Sequence, residues 1–161
     1  MLFGVVDFGR ALYAYHFVSH AAREASRWAA VNGTTCGNDA VTGTGDTGSC
    51  TAPVTGSSGS YSLCTSGCTY ASQTDVQNYV QMIAPPGIDT TSKGCSGSAC
   101  LSTAATWQDP AWTRPDPCGS PPEGPGCTVK VTVNYTFNFL VPLVHKGSIA
   151  MSSTSEMVIA H

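Results

Sequence analysis

Residues 1–32 read MLFGVVDFGRALYAYHFVSHAAREASRWAAVN, and the reading of this run decides the fold. It holds no proline and much alanine, with Gly4 and Gly9 as its only weak helix formers, so it predicts one continuous helix. Gly33 is placed to end that helix in a left-handed cap. At about 1.5 Å per residue the rod is roughly 48 Å long, more than a small domain can cover. Val5, Phe8, Leu12, Tyr15, Ala22, Ala25 and Ala29 recur at three- and four-residue steps and define one apolar face. Leu2, Phe3, Val6, Phe17 and Val18 carry apolar groups onto other faces, so the first half is expected to be buried all round. Arg23, Glu24 and Arg27 make the second half an amphipathic surface helix. One end should dock on a domain, and the other should seek further molecules.

The domain to dock on lies at the far end of the chain. Val129, Val131, Val133, Tyr135, Phe137 and Phe139 alternate with Lys130, Thr132, Asn134, Thr136 and Asn138. Such alternation predicts a strand with one buried and one wet face. Pro142, His145, Lys146 and Gly147 break it, and Ile149, Met151, Met157 and Ile159 resume it, with Ser153 and Ser155 interrupting the apolar side. The two runs should pair as an antiparallel hairpin, which alone is marginal in water and needs the amphipathic half of the helix as its cover. A short helix is expected at 74–83, where Thr74 and Gln77 have capping-box spacing and Val76, Tyr79, Val80 and Ile83 form a stripe. Pro85, Pro86 and Gly87 stop it.

The remainder reads as long polar excursions, 34–70 and 93–126, with Trp107 and Trp112 as anchors to something larger. The chain thus divides into an assembly helix (1–33), a loop-rich disulfide-tied region (34–127) and a C-terminal hairpin (128–161) completing one globular domain with the helix. Eight cysteines fall in the middle, among Gly, Ser, Thr and Pro, where little apolar surface is available to offset chain entropy. An even count in such surroundings points to disulfides in an oxidising compartment. Zinc is the rival reading, but the Cys64/Cys68 and Cys95/Cys100 spacings are not two-residue knuckles and no histidine sits at a matching interval. Eight cysteines allow about 105 pairings. Nearest neighbours close the shortest loops, giving Cys36–Cys50, Cys64–Cys68, Cys95–Cys100 and Cys118–Cys127 as the expected set.

Charged residues make up 11% of the 161, and the net charge is −3 with no basic cluster, which argues against nucleic acid. No apolar run reaches the roughly 18–20 residues of a membrane span. The run Gly4-Val5-Val6-Asp7-Phe8-Gly9-Arg10-Ala11-Leu12-Tyr13, followed by Ala21-Ala22-Arg23-Glu24-Ala25-Ser26-Arg27-Trp28-Ala29-Ala30-Val31, resembles the TadE-like family, pseudopilins or pilus-assembly components of the tight-adherence system. Phe137-Asn138-Phe139-Leu140-Val141-Pro142 and Ser152-Ser153-Thr154-Ser155-Glu156-Met157 are similar to that family's ending. The resemblance implies a pilin-like α+β fold, a long N-terminal helix packed on a small antiparallel sheet. It also implies an apolar membrane segment running into this helix, so a membrane-inserted precursor is expected before a processed subunit is released to the cell surface. The cysteine-rich middle has no such match.

The expected function is therefore assembly: a structural subunit of an extracellular filament, pilus or tube, with copies of itself as partners and other pilus proteins as further ones. Leu2, Phe3, Val5, Val6, Asp7, Phe8, Arg10, Leu12 and Tyr15 are the expected interface. A minor pseudopilin that initiates or anchors a pilus, and a secreted adhesin using the loops around Trp107 and Trp112, are the alternatives. His16 and His20 share a helical face, but two imidazoles alone are an incomplete metal site. Asn32-Gly33-Thr34 and Asn134-Tyr135-Thr136 match the glycosylation triplet, the second from within a strand. No Ser-His-Asp arrangement, phosphate loop or paired catalytic carboxylates can be defended, so neither enzyme activity nor a cofactor or metal is expected.

Overall fold

The computed structural model describes residues 2–32, 52–56, 59–63, 73–91, 95, 100–108, 126–139 and 148–159. Its elements in chain order are α1 (Leu2–Asn32), β1 (Ala52–Gly56), β2 (Gly59–Leu63), α2 (Gln73–Met82), β3 (Leu101–Gln108), β4 (Thr128–Asn138) and β5 (Ser148–Val158). The architecture is α+β: both helices cover one face of an antiparallel sheet in the order β3-β4-β5, with α1 against β4 and β5 and α2 against β3. β1 and β2 form a separate antiparallel pair beside α2.

β4 is the spine of the sheet. Val129, Val131, Val133, Tyr135 and Phe137 are all buried under the helices, as the alternation predicts. α1 meets this row with small side chains: Ala14, Ala21, Ala22, Ala25 and Ala29 are buried together with Phe17 and Val18. Alanine lets the helix backbone approach the sheet closely, while the valines supply the bulk. β5 contributes little to the core, since its helix-facing row is Ile149, Met151, Ser153, Ser155 and Met157. One of the serines there, Ser155, has a partner on α1. The Ser26 hydroxyl donates to the Arg23 carbonyl at 2.9 Å and lies 2.9 Å from Ser155 Oγ, so Ser155 is the donor of that second bond. Trp28 stacks on Tyr79 with ring centroids 5.0 Å apart, locking α1 to α2.

Four expectations are corrected here. The C-terminal hairpin is part of a three-stranded sheet, because Leu101–Gln108, inside a presumed polar excursion, pairs with β4 from Leu101↔Tyr135 to Gln108↔Thr128. The other excursion contains β1 and β2. The apolar face assigned to the first helix is not one face: Ala22, Ala25 and Ala29 are buried, whereas Val5, Phe8, Leu12 and Tyr15 are exposed. A helix has 3.6 residues per turn, so the alanine line that docks continues back through Ala14 rather than through the bulky residues. The short helix begins and ends one residue earlier than expected.

Beyond α2, Pro85-Pro86-Gly87-Ile88 makes a tight turn in which the Ile88 N–H donates to the Pro85 carbonyl at 3.2 Å. Gly87 has φ of 98°, the left-handed value a type II turn requires at its third position. The Cys95–Cys100 disulfide is present as expected. It sits at the end of the sheet, where the Thr136 N–H donates to the Cys100 carbonyl at 2.8 Å and Asn138 Nδ2 donates to Cys95 Sγ at 3.4 Å. Cys127 is also disulfide-bonded, and no cysteine among the described residues is free. The pairings Cys36–Cys50 and Cys64–Cys68, the partner Cys118, and Gly33 and Trp112 lie outside the described residues. Trp107 is half-buried against the core, and its indole N–H has no acceptor among the described residues. The opposite face of the sheet is largely polar, with Ser102, Thr106, Lys130, Asn134, Ser152, Thr154 and Glu156 exposed beside Ala104, Ala150 and Val158.

Two measurements check this account. A Cβ at Gly87 would meet no atom within 4 Å, so Gly87→Ala carries backbone strain alone and should lower unfolding stability by about 1–3 kcal/mol in urea titration. Burial, and then the Glu24 carboxylate, pushes the Tyr79 phenol above its ordinary value of 10.0. The folded state thus keeps that proton longer than the unfolded chain, and stability falls as pH rises past about 10. Tyr79→Phe should flatten this part of the stability-versus-pH curve.

Candidate assembly surface

The expected interface residues fall on different sides of α1. Val5 is 72% exposed and Phe8 65%, and Leu12 and Tyr15 are exposed on the same stripe. Tyr15 and Phe8 lie about three and five helical turns before Ser26, on the line that Ser26 uses to reach β5. This exposed stripe therefore lies on the flank of α1 over the β5 side of the sheet. Val6 and Tyr13 are exposed on the other flank. The side chains of Leu2 and Phe3 are not among those described.

Asp7 points inward. It is only 5% exposed and takes a 3.1 Å ion pair from Arg10 Nη1, one turn along the helix. The Arg10 guanidinium lies over the Phe137 ring, 5.4 Å from its centroid, where the ring face attracts the cation. Phe137 in turn meets Phe139 edge-on at 5.3 Å. Arg10 and Phe137 also line a small cleft with Tyr13, Pro86, Gly87 and Tyr135. Tyr135 is fixed there, its hydroxyl accepting the Asp89 N–H at 3.4 Å. The pair of charges thus braces the helix on the end of the sheet within one chain, and the bulky neutral residues beside it face outward.

Chemically, the stripe offers apolar area rather than reactive groups. His16 and His20 are both exposed, and no group of three or more His, Cys, Asp or Glu among the described residues could hold a metal ion. Asn134 is exposed in the middle of β4, paired on both sides. Asn32 ends α1, its amide donating to the Trp28 carbonyl at 2.9 Å.

The sequence predicts β5 as a strand, but its edge and exposed ends were not among the expected interface residues. Ile149 and Met157, on its helix-facing row, are 44% and 38% exposed because α1 covers only the middle of the strand. The signal was present in the sequence, since β5 lacks proline, glycine and lysine throughout.

Among the described residues no helix is long and apolar enough to cross a membrane. No curated protein and no solved structure matches the chain. Residues 1–27, which carry the exposed stripe and the Asp7–Arg10 pair, match the family model described as TadE-like protein, and the similarity is to that family.

Proposed function

We propose that the chain is a structural subunit of an extracellular filament or pilus, assembled by burying the Val5–Phe8–Leu12–Tyr15 stripe against further copies. The observation that carries this reading is the stripe itself: four large apolar side chains in a row on a helix whose adjacent face is fully docked. A water-exposed row of this kind marks an interaction site. Burying each large side chain is worth about 1.5–3 kcal/mol, so four supply roughly 6–12 kcal/mol before the cost of ordering two partners. A contact between non-equivalent patches propagates into a polymer when its rotation does not close. In a precursor the same stripe would face lipid, and release would transfer it to a neighbour.

The likeness of residues 1–27 to TadE-like proteins supports a role in a pilus at the cell surface, structural rather than catalytic. The disulfides fit an oxidising location outside the cytoplasm. The same likeness favours a second reading, a minor pseudopilin that initiates or anchors the fibre. Stoichiometry separates the two: mass spectrometry of sheared surface fibres returns this chain as the dominant band for the first and in trace for the second.

Phe8→Asp and Leu12→Asp each place a charge on an exposed position, so the folded circular dichroism spectrum should be unchanged. Each should abolish fibres seen by negative-stain imaging, and normal fibres from either variant would overturn the proposal.

A further inference from the structure

We infer that the free edge of β5 is a second, separate self-association site, at which β5 of another copy adds antiparallel to join two three-stranded sheets into one of six strands. Among the described residues β5 pairs with β4 alone, leaving one side of an eleven-residue strand without a neighbouring strand. Exposed edges are usually blunted by charged side chains, proline, a bulge or brevity, and Ser148–Val158 has only the single charge of Glu156. Another extended chain can replace water along the whole row of edge amides and carbonyls at once.

The register follows from hydrogen-bond parity. The Ile159 N–H donates to the Cys127 carbonyl at 2.7 Å, in the same register as the rest of β5 on β4. Antiparallel pairs alternate between bonded and non-bonded, so the odd-numbered residues of β5 bond to β4. The amides and carbonyls of Ala150, Ser152, Thr154 and Glu156 therefore point to the open side. A joining strand must bond even residues to even residues, and a two-fold centred on Ser153 does so: Ser152 meets Thr154, and Ala150 meets Glu156 of the other copy.

That register is also self-complementary in side chains. It sets Ile149 opposite the second copy's Met157, the two exposed apolar residues of the helix-facing row, and does so twice by symmetry. It keeps the two Glu156 carboxylates on different pairs, about 20 Å apart along the strands. A two-fold normal to the sheet leaves the helices of both copies on one face, and because the same surface is used by both copies the contact closes at two.

Two arms test the inference on the whole oxidised chain. In the fibre-deficient Phe8→Asp background, taken as the parent here, Ser152→Pro removes an outward N–H and leaves the β4 ladder intact, so light scattering at micromolar concentration should read a dimer for that parent and a monomer for the double variant. A variant that keeps the parent's mass overturns the inference. In the second arm, Ala150→Cys and Glu156→Cys are mixed under mild oxidation. Bonded pairs sit about 5.5 Å apart at Cα, within disulfide reach, so the mixture should yield a linked dimer and neither variant alone should. Equal linking in all three samples, or in none, overturns the register. Phe8→Asp should lose fibres but keep the link. A parent chain that fibrillates through the stripe without linking would therefore sink this inference and spare the first proposal.

Discussion

The close seating of an alanine-lined helix on a valine-lined strand is the constraint from which the other features follow. Ala14, Ala21, Ala25 and Ala29 meet Val129, Val131 and Val133, small against branched, and this match fixes the rotation of α1 about its own axis. Once that rotation is set, every other side chain on the rod has its place. Asp7 turns inward to Arg10, Ser26 turns to Ser155, Trp28 turns to Tyr79, and the bulky residues of the first half are left outside.

The elements themselves were legible where one signal dominated. Proline-free, alanine-rich sequence marked α1, and unbroken alternation marked β4, because these patterns arise from backbone periodicity alone. The Cys95–Cys100 bridge was legible because a short loop closes at small entropic cost. β3 was not legible, since its inward row is Leu101, Thr103, Ala105 and Trp107, and threonine and alanine blur the contrast between wet and dry positions. Side-chain polarity does not show that Thr103 is buried; only the neighbouring Val133 does.

The surface was partly legible for a related reason. Hydrophobicity ranks phenylalanine and leucine above alanine, so a count of apolar residues on α1 draws the core through Phe8 and Leu12. Shape selects the other line, because the helix closes on the sheet along the methyl groups of Ala14, Ala21, Ala25 and Ala29. Asp7 illustrates the same point from the polar side. Its carboxylate is buried because an arginine one turn away, braced on Phe137 and itself still exposed, reaches in to pair with it. Within a single chain the helix therefore solves its electrostatic problem and leaves its apolar one unsolved.

The outward face of the sheet has a different consequence. Its side chains are largely polar and wet, and the buried cluster lies on the other face. Substitutions across that wall should therefore change the outer surface of the sheet while leaving the helix-to-strand seam behind it intact.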